Sequence, residues 1–521
     1  MSHLTNLGQP FKKKGGIEMK EKYDVIVIGM GPSSIFLAYE LIQLGKNKRI
    51  LLIEQGKRIE NRNCPIEKIG KCTKCKPFCS ITSGFSGAGA FSDGKLSLYN
   101  KEDETFHVGG NLHEYVGVQK TKELIDYADK IYLKYGADTK LEGIEYKDEV
   151  AQISKKAKKE GIDLISIPIR HLGTEKAHKI YKDLQDYLEE NKIDMLFETI
   201  VDDLIIENNE IKGVKIKPSK EVENEEANTE MILAEKVVIA VGRKGANWLV
   251  DMCNKHNIKA KSGIVDIGIR YELPDSIMKD INKYMYEGKF VGRVGPYRDK
   301  VRTFCQNPSG FVSSEVYDKN LALVNGHSYK EKKSTNTNLA ILVSHNFTYP
   351  FNKPIDYGRN VARNLNELGA GNILVQRLGD IYRGKRTWEE ELKRNTVIPT
   401  LKSAVPGDIT YAIGYRTMTD ILEFIKSMDK IVEGFANPDN LLYAPEIKFY
   451  SNQLIINDNF ETSVKGLYSI GDGGGMTRGL MMASASGIQM ARNLNQGQSL
   501  IVPFGHFGTL LMKNSHKIYC E

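Results

Sequence analysis

Residues Asp24 to Glu54 read DVIVIGMGPSSIFLAYELIQLGKNKRILLIE. An apolar run, a glycine turn, a helix-forming stretch and a second apolar run follow in order, the pattern of a βαβ unit that binds a dinucleotide. Gly29 allows the tight turn, and Gly31 lets the backbone approach a pyrophosphate. The phosphates then meet the positive N-terminus of a helix expected from Pro32 to Leu44, with Ser33 and Ser34 in its first turn. Glu54, 25 residues after Gly29, stands where a carboxylate can accept both ribose hydroxyl protons, with Gln55 beside it. The third glycine of the GxGxxG pattern is replaced by Ser34, so helix and strand must tolerate one small hydroxyl at their closest contact.

Two later segments repeat the strand-then-turn pattern. KVVIAVGRKGAN (Lys236 to Asn247) is an apolar strand running into Gly242. GLYSIGDGGGMTRGLMMASASGIQMARNL (Gly466 to Leu494) is a short strand, then Gly471 and Asp472, then Arg478, Gly479 and a helix of small residues. An aspartate at such a strand end could bind a ribityl hydroxyl, and the following helix N-terminus could stabilise negative charge on a reduced ring.

Taken in order, these pieces resemble the FAD-binding fold of the two-dinucleotide-binding-domain flavoproteins, which includes fumarate reductases and amine oxidases. GFSGAGAFSDGKLSL (Gly84 to Leu98), VDIGIRYELP (Val265 to Pro274), FCQNPSGFVSSE (Phe304 to Glu315) and VNGHSY (Val324 to Tyr329) look more closely like the uncharacterised bacterial FAD-dependent dehydrogenases. The resemblance spans Tyr23 to Leu494. It implies FAD held by Gly29, Gly31, Glu54, the turn Ser92, Asp93, Gly94 and Lys95, and by Gly242 and Asp472. It also lays the backbone from Thr199 to Asp202, with Val201, beside the adenine. The motifs are specific to the cofactor and not to a substrate.

The chain of 521 residues is long enough for two or three domains. The expected fold class is α/β, a discontinuous FAD-binding Rossmann-like domain with an inserted α+β cap or substrate domain. Its pieces are an N-terminal extension (1–21, with Met19 as an alternative start), a first flavin piece with a cysteine cluster (22–100), a helical insertion (101–167), a second flavin piece (168–261), the cap (262–455), and a third flavin piece with the C-terminal tail (456–521). With 41% hydrophobic and 27% charged residues and a formal charge of +7, the composition is that of a soluble globular protein. The lysines are scattered among acids rather than gathered in a stripe, which argues against nucleic acid and against a tRNA-modifying flavoprotein. No run reaches the roughly twenty apolar residues that span a bilayer, and the expected compartment is cytoplasmic.

Four of the seven cysteines, Cys64, Cys72, Cys75 and Cys79, fall within sixteen residues as CPIEKIGKCTKCKPFC. Such a cluster in a cytoplasmic chain points to metal or redox use. The spacing leaves open an iron–sulfur cluster, zinc, or metal-free thiols and a reversible disulfide. An electron-transfer flavoprotein would use such a metal.

Candidates for proton transfer are His327 and Tyr329 in NGHSY, and Lys95 in a turn expected to flank the flavin ring. Arg478 sits in the second such turn. Arg270, Arg302, Arg383 and Arg386 could clamp a carboxylate, although arginines on a cap are usually at the surface. Trp248 and Trp388 suit core packing better than a stacking platform. No second GxGxxG unit follows Val241. NADH or NADPH would therefore bind transiently, or an electron-transfer protein would supply or accept electrons for a small-molecule substrate.

Overall fold

The computed structural model describes residues 20, 22–45, 48–64, 75–91, 94–100, 106–224, 226–261, 264–285, 288–317, 321–327, 332–347, 350–351, 353–449 and 453–496. The strand Lys22–Ile28 lies at the centre of the first sheet, parallel to Ile50–Ile53 on one side and to Glu230–Ile239 on the other. Asp194–Leu196 extends the sheet beyond Ile50–Ile53, again parallel. Glu230–Ile239 changes partner along its length. Its first half pairs antiparallel with Glu210–Pro218, which in turn pairs with Thr199–Glu207, and its second half runs parallel to Leu467–Ser469. Val25 and Val27 enter one apolar cluster and Ile26 and Ile28 the other, so both faces of the strand are buried. Burial on both faces is why DVIVI reads as a continuous apolar run rather than an alternating one.

Parallel strands leave all their C-terminal ends on one edge. Ile28, Ile53, Ile239 and Ser469 therefore deliver Gly29, Glu54, Gly242 and Gly471 to the same side of the sheet, the side where open α/β sheets bind ligands. The helix Pro32–Gln43 covers one face together with Leu480–Gln496. The two helices approach closely at Gly487, where a Cβ would stand 2.0 Å from the Ser33 carbonyl oxygen. The small residues around it in the C-terminal helix serve this approach.

The inserted domain is built on a second, eight-stranded sheet. Its order runs from Val405–Pro406 through Leu374–Arg377, Leu441–Phe449, Val265–Pro274, Asn336–His345, Val301–Asn307 and Lys289–Gly292 to Ile162–Ile165. All neighbours are antiparallel except the first pair. Along Val265–Pro274, the residues Val265, Ile267, Ile269, Tyr271 and Leu273 enter a core shared with the helix Tyr415–Asp429. The alternate residues Asp266, Arg270 and Glu272 face the other way, yet are fully buried.

Three expectations change in detail. The segment 101–167 divides between the sheets. The helix Val118–Lys134 packs on Leu480–Gln496 in the flavin domain, whereas Lys147–Lys159 and Ile162–Ile165 join the second sheet. Arg270 is not a surface residue. Its guanidinium donates two 2.8 Å hydrogen bonds to the Glu446 carboxylate, and neither side chain has exposed area. The carboxylate that Arg270 clamps is internal. Trp388 likewise departs from core packing, being 53% exposed with the Arg386 guanidinium 4.0 Å from its ring centre.

Candidate cofactor site

Glu54 organises the edge where the parallel strands end. Its Oε2 accepts from the Met30 amide at 3.0 Å, and its Oε1 accepts from the amides of Gly56 at 2.9 Å and Gly84 at 2.8 Å. The side chain is buried. A carboxylate offers about four lone-pair positions, so three amides leave room for one further donor. Much of its acceptor capacity ties three turns together.

Those three turns form a cradle. Gly29 has φ of +95°, and a Cβ there would meet the Ala240 carbonyl oxygen at 2.6 Å, so only glycine fits. Gly31 is the opposite case. Its φ is an ordinary −77°, and a Cβ would meet nothing within 4 Å. It caps the helix Pro32–Gln43, which has no side-chain cap of its own; Pro32 carries no amide and the Ser34 amide already bonds the Gly31 carbonyl at 3.0 Å, so Ser33 is the first-turn donor at this space. Ser34, standing for the third glycine, donates its hydroxyl to the Gly29 carbonyl at 2.6 Å and stiffens the turn. The third wall is Gly84–Gly87. The Ser86 amide donates to the Met30 carbonyl at 2.7 Å, and a Cβ on Gly87 would lie 3.8 Å from the Gly31 Cα. Ser86 itself holds φ at +69° while fully buried.

Arg62 fixes that third wall. It donates to the carbonyls of Ser80 at 2.9 Å, Ile81 at 2.8 Å and Phe85, and to the Ser86 hydroxyl at 3.3 Å. Burial pulls its pKa down to about 10, with the Glu54 charge opposing. Motif spacing did not single out Arg62 or Met30, because their partners at this site lie 18 to 24 residues away in the chain. The pair Gly84 and Gly87 is the one signal that could have marked this wall.

The other expected residues lie around the same edge. Gln55 is held by the Ser83 hydroxyl at 3.0 Å and, through its carbonyl, by the Ser219 hydroxyl at 2.6 Å. The Thr199 amide donates to the Glu54 carbonyl at 3.0 Å, which brings Val201 alongside the end of the second strand. A Cβ on Gly473 would touch the Gly242 carbonyl oxygen at 2.7 Å, and one on Gly471 would touch the Ser33 hydroxyl at 2.8 Å. The second and third glycine turns therefore abut the first. Asp472 accepts from the Thr477 hydroxyl at 2.8 Å and from the Gly479 amide at 3.3 Å, and so shapes the loop leading into Leu480–Gln496. Arg478 belongs to the same loop, and its amide bonds the Gly109 carbonyl at 3.2 Å.

The proton-transfer candidates are spread out. Lys95 begins the short strand Lys95–Ser97 and pairs in register with His171, next to Gly94, whose carbonyl accepts from the Leu172 amide. His327 is exposed at the end of the hairpin strand Leu321–His327 in the inserted domain, opposite Phe311. Tyr329, Ser92, Asp93 and Cys72 lie outside the described residues. Cys64, Cys75 and Cys79 are partly exposed thiols, and among the described residues no three metal-ligating side chains are grouped to hold an ion. No described helix is long and apolar enough to cross a membrane.

The geometry fits FAD. Open space at Gly31, an uncapped helix N-terminus behind it and a carboxylate-braced turn on each side are what a pyrophosphate and ribose require. The fold and site have the geometry of a dinucleotide-binding α/β domain. Residues 266–448, most of the inserted domain, match the family described as FAD-dependent protein, C-terminal domain-like. An uncharacterised protein of Clostridium beijerinckii is 23% identical over 509 residues, covering 92% of this chain and 82% of that one. Among solved structures, a formate oxidase variant of Aspergillus oryzae aligns over 92% of this chain and 99% of its own at 11% identity and a TM-score of 0.41. The L-proline dehydrogenase of P. horikoshii aligns over 93% and 96% at 14% identity and a TM-score of 0.36. Likenesses this low do not define a shared reaction.

Proposed function

We propose that the protein is an oxidoreductase that transfers hydride or electrons between bound FAD and a small organic molecule. The observation that carries this reading is the convergence of the turns at Gly29, Gly84 and Gly471 on the open space at Gly31, in a chain whose inserted domain matches that of FAD-dependent proteins. FAD supplies the hydride and single-electron chemistry that amino-acid side chains lack. The chain's own residues bind and orient. The Ser33 amide at the start of Pro32–Gln43 faces the phosphates, Glu54 holds the turns at their required spacing, and the Gly471–Gly479 loop places a helix N-terminus at the same edge. Lys95 and His327 are the described candidates for moving a proton. On this reading the second redox partner is NADH or NADPH bound transiently, or an electron-transfer protein.

The test is an anaerobic visible spectrum of the purified protein, titrated with NADH, NADPH and dithionite, and then exposed to candidate acceptors. We expect oxidised flavin bands that bleach with a reductant and return on reoxidation. Protein without flavin absorbance would remove the cofactor assignment. Flavin that dithionite bleaches but no nucleotide or protein donor reduces would remove the redox role.

A further inference from the structure

One face of the second sheet gathers cations at the end that adjoins the flavin domain. Side chains alternate along a strand, so partners in register share a face. Asp266 pairs with Ser344 on one side and with Lys448 on the other, and the Ser344 amide donates to the Lys300 carbonyl at 2.9 Å. Lys300, Ser344, Asp266 and Lys448 therefore form one row, facing away from the apolar core that takes Ile267 and Val343. Arg302 belongs to the next row of the same face, as does Glu446. Short pairing of Ala260–Lys261 with Gln453–Leu454 ties this end of the sheet to the cofactor site, because the Leu454 amide donates to the Gly474 carbonyl at 3.2 Å. Gly474 lies in the same loop as Arg478.

The acids beside Lys300 are already engaged. Asp266, with no exposed area, accepts from the Ser344 hydroxyl at 2.7 Å and from Arg302 at 2.6 Å. Glu446 is shared by Arg270 at 2.8 Å and Lys448 at 3.2 Å, and Asp299 accepts from Arg416 at 2.5 and 2.8 Å. Lys300 itself makes no ion pair among the described residues. Burial, and after it the charges of Arg302, Arg293 and Arg478, hold its ammonium below the usual lysine range, with Asp266 opposing. Lys289 adds a further cation, lying with Arg302 against the Phe304 ring at 4.8 and 4.7 Å from its centre. Like charges repel, and partial burial weakens the screening by solvent. Lys300, Arg302, Arg293 and Arg478 thus converge from two domains around one carboxylate whose two oxygens are both taken.

We propose, resting on the oxidoreductase reading, that the small molecule oxidised or reduced here is anionic, and that Lys300, Arg302 and Arg478 receive its oxyanion group, a carboxylate or a phosphate. Such a group supplies the negative charge that the cluster lacks. Arg302 and Arg478 offer planar forks for its oxygens, and Lys300 adds a point charge. Lys300 and Arg302 belong to the inserted domain and Arg478 to the cofactor loop, so the group is held where the two domains meet. A neutral substrate would leave the repulsion unanswered.

Titration of the flavin-loaded protein at fixed ionic strength tests this with three small probes: acetate, inorganic phosphate and acetamide. Acetamide matches acetate in shape without its charge. The visible flavin bands should shift saturably with acetate or phosphate, at least about tenfold more tightly than with acetamide, and the tighter anion identifies the group. Lys300→Met should weaken that anion by at least about tenfold, whereas Lys300→Arg should preserve its binding, with retained flavin absorbance reporting that each variant is folded. No saturable shift with either anion, acetamide binding as tightly, or indifference to Lys300→Met overturns the proposal. Any of these outcomes with FAD bound and reducible leaves the oxidoreductase reading intact; failure of that reading shows instead as protein without flavin, or flavin that no donor reduces.

Discussion

Glu54 and Gly84, thirty positions apart, are joined by a 2.8 Å hydrogen bond from the Gly84 amide to Glu54 Oε1. Two further amides, from Met30 and Gly56, converge on the same carboxylate. The residue that the sequence offers as a ribose ligand is therefore also the brace on which the walls of the cradle close.

Glu54→Gln replaces one acceptor oxygen with a donor that must face backbone amides. At least one amide loses its partner, at a cost of about 1–3 kcal/mol. The variant should retain less FAD per polypeptide and melt at a lower temperature. Unchanged flavin content and unchanged melting would contradict the bracing role.

Gly29 and Gly31 should respond oppositely. Gly29→Ala puts a Cβ 2.6 Å from the Ala240 carbonyl and holds a non-glycine residue at positive φ, so the fold itself should lose about 2 kcal/mol. Gly31→Val meets open space at an ordinary φ and should leave the apoprotein folded but without flavin absorbance. Circular dichroism and the flavin spectrum separate the two outcomes; a folded Gly31→Val protein with full FAD would sink the pyrophosphate assignment.

Arg270 and Glu446 form a bidentate pair with no exposed area on either side chain. Arg270→Met removes the two guanidinium hydrogen bonds and leaves Glu446 with Lys448 at 3.2 Å, and it should destabilise the inserted domain by about 3 kcal/mol in chemical denaturation. A cost below 1 kcal/mol would mean that solvent reaches Glu446.

Asp420 has its folded pKa raised to about 6, chiefly by burial and the Asp299 charge. A raised carboxyl binds its proton more tightly when folded. Its contribution is therefore complete below the unfolded value near 4 and is lost as pH rises through 6. Asp299, held low first by Arg416, acts in the opposite sense at more acid pH. Stability measured from pH 4 to pH 7 should fall in the wild type and flatten in Asp420→Asn; parallel curves would refute the assignment.

Cys253 and Cys305 differ in environment. Burial pushes the Cys253 thiol up to about 11, whereas Cys305 is exposed on a bulged strand. In native protein a maleimide should label Cys305 rapidly and Cys253 only after unfolding, as peptide mass mapping would show. Equal labelling rates would contradict this.

The sequence by itself determined the elements that local physics controls. Apolar runs buried on both faces gave parallel strands, glycines at Gly29, Gly242 and Gly471 gave the turns, and the order of these pieces fixed the flavin fold. Tertiary structure alone decided where distant polar groups meet. Nothing in the spacing shows that Glu54 spends its lone pairs on Met30, Gly56 and Gly84, that Arg62 secures the Gly84 turn, or that Arg270 turns inward to Glu446. Hydrophobic periodicity reports which face of an element is buried. A hydrogen-bond partner many residues away is set by how whole elements pack, and the approach of Arg478 to Lys300 arises from that packing.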